Sequence, residues 1–248
     1  MKKLYQSIRY LFHISYIKRL STIAGALSFF FVLSIVPMAF LSFYIVNIFI
    51  NNIGLINDIR LEEFLNFDLT SPVSIFFMLT TMYSASKLFF HFKRSGELIF
   101  NYKDETKSLM VRIISILNML IFVFILALGI TFYILIKKYL SNNSWRWLFI
   151  ILVFVLFSTF LFFSLLALNR YVSNNKQKLI DYYRGALFTI GFDIIISIGF
   201  GIYVGYFADY SFLYSYLASI VIGLLYVYLL MLGLVYGFLI NTKYIKQD

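Results

Sequence analysis

The sequence predicts an all-α fold: an integral membrane bundle of six transmembrane helices, preceded by an amphipathic helix on the cytoplasmic surface. Three observations lead there. The 248 residues are 62% hydrophobic and 13% charged, against about 25% charged in an ordinary globular domain, so water is not the main solvent. The apolar residues fall into stretches able to cross about 30 Å of hydrocarbon, which takes roughly 20 residues at about 1.5 Å each. Lysine and arginine collect in alternate segments between those stretches, as retention of positive charge in the cytoplasm requires.

Residues 1–21 form the surface helix. Lys2, Gln6, Arg9 and His13 recur at helical spacing, while Leu4, Tyr5, Ile8, Leu11 and Phe12 make the opposite face. Ser21 and Thr22 offer an N-cap for the first span, and a helix running on unbroken from span one is the alternative. The transmembrane domain covers 22–241, with spans at 22–50, 72–92, 111–136, 145–168, 185–207 and 217–240, and a cytoplasmic tail covers 242–248. The first run is longer than the apolar core of a secretory signal, about 7–15 residues, so it reads as a retained span. The second is the most polar.

Orientation follows from the loops. One side holds Lys2, Lys3, Arg9, Lys18 and Arg19, then Lys93, Arg94, Lys103, Lys107 and Arg112, then Arg170, Lys176, Lys178 and Arg184, and finally Lys243 and Lys246. The other holds Arg60, Lys137, Lys138 and Arg146, with Asp58, Glu62, Glu63 and Asp68 in its first loop. Both termini are therefore expected in the cytoplasm, and Trp145 and Trp147 fit the outer headgroup level. The net charge of +10 finds its counter-charge in anionic lipid headgroups rather than nucleic acid. With no cysteine and only His13 and His91 as histidines, zinc and thiolate chemistry are not expected, and no cofactor is implied.

Within the spans, polar residues single themselves out. Thr80, Ser84, Lys87 and His91 are spaced by four, three and four residues, which stacks them on one helix face. Lys87 either snorkels to the headgroups or contributes to a substrate pathway. Asp193 lies about 12 Å inside the fifth span, too deep for its short side chain to reach water. Helical rise puts Lys87, Asn118 and Asp193 within about one turn in depth, with Ser28 at a similar level. A polar layer follows, with Lys87 and Asp193 as an ion pair and Asn118 beside them. It is either a substrate or proton site or a register-fixing pair. Pro37 frees the carbonyl of Leu33 and is the hinge candidate, fixed packing being the alternative. Gly201 with Gly205, and Gly233 with Gly237, have the spacing that lets helices approach closely, within one chain or in a homo-oligomer. No phosphate-binding loop, zinc-protease motif or hydrolase set is present; no catalytic residue and no metal ligand is assigned.

The stretch Ala24-Gly25-Ala26-Leu27-Ser28-Phe29-Phe30, running on to Leu33-Ser34-Ile35-Val36-Pro37, resembles the first span of the YihY/BrkB family. So do Glu105-Thr106-Lys107 before a long span, Arg184-Gly185-Ala186-Leu187 at the fifth, and Tyr203 through Tyr228 to Gly233, Gly237 and Asn241 near the end. Ser173-Asn174-Asn175 lacks the family's usual proline, and Tyr226 replaces a common tryptophan. The resemblance implies a bacterial inner-membrane protein with six spans. Members have carried a ribonuclease BN label, which nothing in these residues resembles; others are associated with serum resistance, and lipid export has been suggested for relatives. The expected function is a transporter or flippase-like protein for a lipid, amphiphile or small solute. The alternative is a non-transporting envelope factor that scaffolds a partner protein, and an intramembrane enzyme is the third reading.

If Lys87 and Asp193 are an ion pair, Lys87→Met and Asp193→Asn are expected to couple by about 1–3 kcal/mol in a double-mutant cycle of unfolding in detergent. Effects that add within about 0.5 kcal/mol would remove the pair.

Overall fold

Each long apolar run becomes a helix because hydrocarbon offers backbone N–H and C=O groups no partner outside the chain. The computed structural model describes residues 19–52, 72–103, 108–140, 146–174, 177–207 and 212–242. Six α-helices stand among them: α1 (Leu20–Asn52), α2 (Pro72–Phe100), α3 (Ser108–Leu140), α4 (Arg146–Ser173), α5 (Tyr183–Phe207) and α6 (Phe212–Thr242), with a 3-10 turn, Leu179–Tyr182, before α5. Five of these are long and apolar enough to cross a membrane, and α2 is not among them. The second expected span, at this helix, is thus not confirmed among the described residues. Its 29 residues rise about 44 Å, and Lys93, Arg94 and Glu97 all fall in its last eight residues. The surface helix and the acidic segment of 53–71 lie outside the described residues.

The helix starts and stops have local causes. Arg19 has φ 49°, which no right-handed helix continues through, and its carbonyl accepts the N–H groups of Thr22 and Ile23 at 3.0 and 3.2 Å. Ser21 and Thr22 are thus inside α1 rather than capping it, a correction of two residues. Asn101 and Asn174, at φ 56° and 55°, end α2 and α4. Asparagine tolerates this left-handed conformation, and after α2 the Tyr102 N–H closes back on the Glu97 carbonyl at 3.2 Å. Helix α2 therefore runs eight residues past its expected end at Phe92, which makes Lys93 and Arg94 helical residues rather than loop charges.

The chain divides into two compact units. The first contains residues 1–32, 91–105 and 161–248. Leu20, Leu27, Ile99, Leu166, Tyr182, Val235 and Phe238 are among its buried side chains. In it α5 and α6 pack closely: a Cβ on Gly185 would collide with the Gly237 carbonyl and the Asn241 amide, and one on Gly237 with Thr189. Gly233 lies against Phe192 and Asp193. Gly96 likewise brings α2 onto the Val172 carbonyl of α4. The second unit contains 33–90 and 106–160, with Met38, Leu41, Ala85, Leu88, Met119, Val123 and Ala127 buried. Here Ser34, one turn before Pro37, donates to the Ser84 carbonyl at 3.3 Å and joins α1 to α2. Helix α1 continues through Pro37. Side chains such as Val36, Leu109 and Ile195, each more than 69% exposed, form the surfaces that lipid accepts and water does not.

Gly201 and Gly205, read from their spacing as packing residues, are exposed and meet nothing within 4 Å among the described residues. Gly185→Ala and Gly237→Ala are accordingly expected to cost about 1–3 kcal/mol in detergent unfolding, because backbone must move to admit the methyl. Gly201→Ala and Gly205→Ala should be neutral or stabilise by about 1 kcal/mol, the helix-propensity gain. Equal losses at all four would refute the distinction.

Candidate functional site

The face of α2 predicted from spacing divides between different jobs. Thr80 donates to the Phe76 carbonyl of its own helix at 3.1 Å, and the Ser84 carbonyl receives Ser34. His91 stacks on Phe30 with ring centroids 3.4 Å apart and planes 9° from parallel, inside the first unit. Lys87 belongs to the second, where its Nζ lies 5.5 Å from the centroid of the Tyr83 ring. Tyr83, Lys87 and Phe90 share a face at four- and three-residue spacing.

Arg112 of α3 meets that face. Its guanidinium carbon is 4.0 Å from the Phe90 centroid and 4.9 Å from that of Tyr83, so the two rings flank it, an arrangement suited to a planar cation. Its Nη1 is buried and has no hydrogen-bond partner. Read from the sequence, Arg112 is the second position of the expected span 111–136 and counts only among the cytoplasmic charges, so it is not a predicted site residue. The helix begins at Ser108, which puts Arg112 a full turn inside it. Along α3 from it, about 20 Å by helical rise, begins an open apolar cavity of about 780 Å³. It lies between α3 and α4, lined by Ile125, Gly129, Tyr133, Leu156, Phe157 and Phe160 among others.

In the first unit, Asp193 sits in α5 beside Gly233, to which an added Cβ would bring its Oδ1 within 3.0 Å. That oxygen is buried and accepts no hydrogen bond. Asn118 and Ser28 spend their donors on their own helices, to Ile114 at 3.0 Å and Gly25 at 2.8 Å. Lys87 and Asn118 are in one unit, Asp193 and Ser28 in the other. Among the described residues no group of three His, Cys, Asp or Glu side chains comes together as metal ligands would.

A second polar cluster went unpredicted. Asn241, fully buried near the end of α6, donates to Asn169 of α4 at 2.7 Å and to the Tyr182 carbonyl at 3.3 Å, and accepts the Gly185 N–H at 3.0 Å. Asn169 donates in turn to Leu165 at 2.8 Å, Ser173 and Tyr182 share a 2.6 Å hydroxyl contact, and Tyr102 donates to Val172 at 2.8 Å. Nearby, Lys93 is buried, with Nζ donating to Asn174 at 2.7 Å and to the Tyr171 carbonyl at 3.3 Å, and lying 5.5 Å from the ring centroids of both Tyr102 and Tyr171. Every group named here is satisfied, so the cluster ties helix ends together rather than presenting free groups to a ligand.

A family model described as Virulence factor BrkB matches residues 16–247. No curated protein and no solved structure matches the chain.

Because Asn241 serves three groups at once, Asn241→Ala should leave the Gly185 N–H and the Asn169 Oδ1 buried without partners. The variant should be about 2–6 kcal/mol less stable than wild type to unfolding in detergent, at about 1–3 kcal/mol for each of the two stranded groups. Wild-type stability would show the cluster to be dispensable.

Proposed function

The chain belongs to the Virulence factor BrkB family, and we propose that it is a transporter or flippase-like protein for a lipid or amphiphile in the bacterial inner membrane, with both termini cytoplasmic. One observation carries the reading: the buried side-chain atoms left without a hydrogen bond among the described residues are Arg112 Nη1 and Asp193 Oδ1. Both belong to apolar helices of spanning length. An ionisable group held in a span costs free energy unless a cavity, a partner or a cargo meets it, so its presence is a functional marker. The apolar cavity between α3 and α4 favours a cargo with a hydrocarbon portion over a small hydrophilic solute. The lysine and arginine distribution supports the orientation, and tags fused to the two ends should both report the cytoplasm.

The second reading is a non-transporting envelope factor. It draws on the family description, which names virulence and no chemical activity. An enzymatic role, ribonuclease included, is not proposed, since no catalytic motif stands in the sequence.

Purified protein in liposomes carrying fluorescently labelled phospholipid separates the two. Wild type should move label between leaflets at least about tenfold faster than protein-free vesicles, and Asp193→Asn should lower that rate by about tenfold or more, the worth of a single interaction of about 1.4 kcal/mol. Wild-type flux equal to that of empty vesicles would leave the scaffold.

A further inference from the structure

We infer that Lys87 and Arg112 form a binding site for a phosphate-type anion, of the kind a phospholipid headgroup carries. Both cations lie within 5.5 Å of the centroid of one ring, Tyr83, and are therefore no more than about 11 Å apart. Neither makes a hydrogen bond or ion pair among the described residues, and Arg112 Nη1 is buried without a partner. Like charges at this range repel in a medium of low dielectric, and the faces of Tyr83 and Phe90 offset only part of that. An anion between the two cations reverses the sign.

The described helical stretches of this unit supply no such anion. The four acidic residues of this unit, Asp58, Glu62, Glu63 and Asp68, all fall in the 53–71 segment. The described helical stretches of the unit, 33–52, 72–90, 108–140 and 146–160, carry no Asp or Glu, only Lys87, Arg112, Lys137, Lys138 and Arg146 as charged residues. The groups are also of the right kind. A guanidinium fork fits two oxygens of a phosphate, while the ammonium adds a point charge from the adjoining helix. The flanking rings fix the guanidinium plane, so little order is lost on binding. The site rests on the transport reading only in making the anion cargo; binding itself is read at equilibrium, without flux.

The test uses the full chain in a nonionic detergent and native mass spectrometry with three probes: phosphatidylglycerol, zwitterionic phosphatidylcholine and inorganic phosphate. Wild type should bind phosphatidylglycerol about tenfold more tightly than phosphatidylcholine. Lys87→Met and Arg112→Gln should each reduce that preference about fivefold, one near-surface charge being worth about that much. Arg112→Lys, which keeps the charge and loses the fork, should fall between wild type and Arg112→Gln, and circular dichroism checks that each variant is folded. Competition by inorganic phosphate at millimolar concentration, lost in Arg112→Gln, would assign the site to free phosphate and still support an anion site. Equal wild-type affinity for the two lipids with no phosphate binding would overturn it, as would a preference unchanged in both folded single variants. Retained binding with no flux would remove transport and leave the site, and flux without binding would do the reverse.

Discussion

The governing constraint is that hydrocarbon satisfies no hydrogen bond, so every polar group carried into a span must find its partner in the chain. Much of the structure is a response to it. Serine, threonine and asparagine side chains turn back on their own helices: Ser42 donates to Met38, Ser115 to Val111, Thr131 to Ala127 and Asn118 to Ile114, each one turn away at 2.8–3.0 Å. This is the least demanding solution, because the acceptor is present as soon as the helix forms. Where the polar group is larger, a network serves instead. Asn241 and Asn169 satisfy each other and the backbone at the Tyr182–Gly185 turn, and Lys93 is held by Asn174 and Tyr171.

The same constraint explains the glycines. With lipid on one side and protein on the other, little hydrophobic effect drives helices together, and close packing must supply the attraction. Gly185 and Gly237 let α5 and α6 approach until each carbonyl occupies the space of the other's missing side chain. That approach also brings Asn241 within reach of the Gly185 N–H, so the packing and the polar network depend on each other. A methyl at either glycine should loosen both.

Residue patterns made much of the fold legible, and the failures have physical causes. Helix positions followed from apolar run length. The end of helix α2 was misjudged because hydropathy responds to solvent preference, whereas a helix ends where its geometry ends: at Asn101, with a left-handed backbone, not at the first lysine. At the site, period-3.6 spacing placed Thr80, Ser84, Lys87 and His91 on one face correctly as a matter of helix geometry. It could not tell that His91 stacks on Phe30 while Lys87 turns to Tyr83, because a spacing rule contains no information about neighbouring helices. Arg112 was hidden for a related reason. A charge near the end of an apolar run reads the same whether it points to headgroups or lies between two rings. The pairs Gly201/Gly205 and Gly233/Gly237 likewise share one spacing, and only the second faces a packed neighbour among the described residues.

Most polar groups in these helices are satisfied within the chain, which gives the exceptions their weight. Helix α2 is the least hydrophobic of the six, and its Lys87, partly buried, has the Tyr83 ring 5.5 Å away. The described helical stretches of its unit, 33–52, 72–90, 108–140 and 146–160, hold positive residues and no acid, so among the described residues no built-in counter-ion balances Lys87 or Arg112. A permanent acid would close the site to outside anions, as a filled ion pair does. Aromatic rings attract a cation more weakly than a carboxylate does, so a cation beside them keeps its capacity to pair with an outside anion. On the proposed reading, an exchangeable anion takes the place that a permanent acid would otherwise fill.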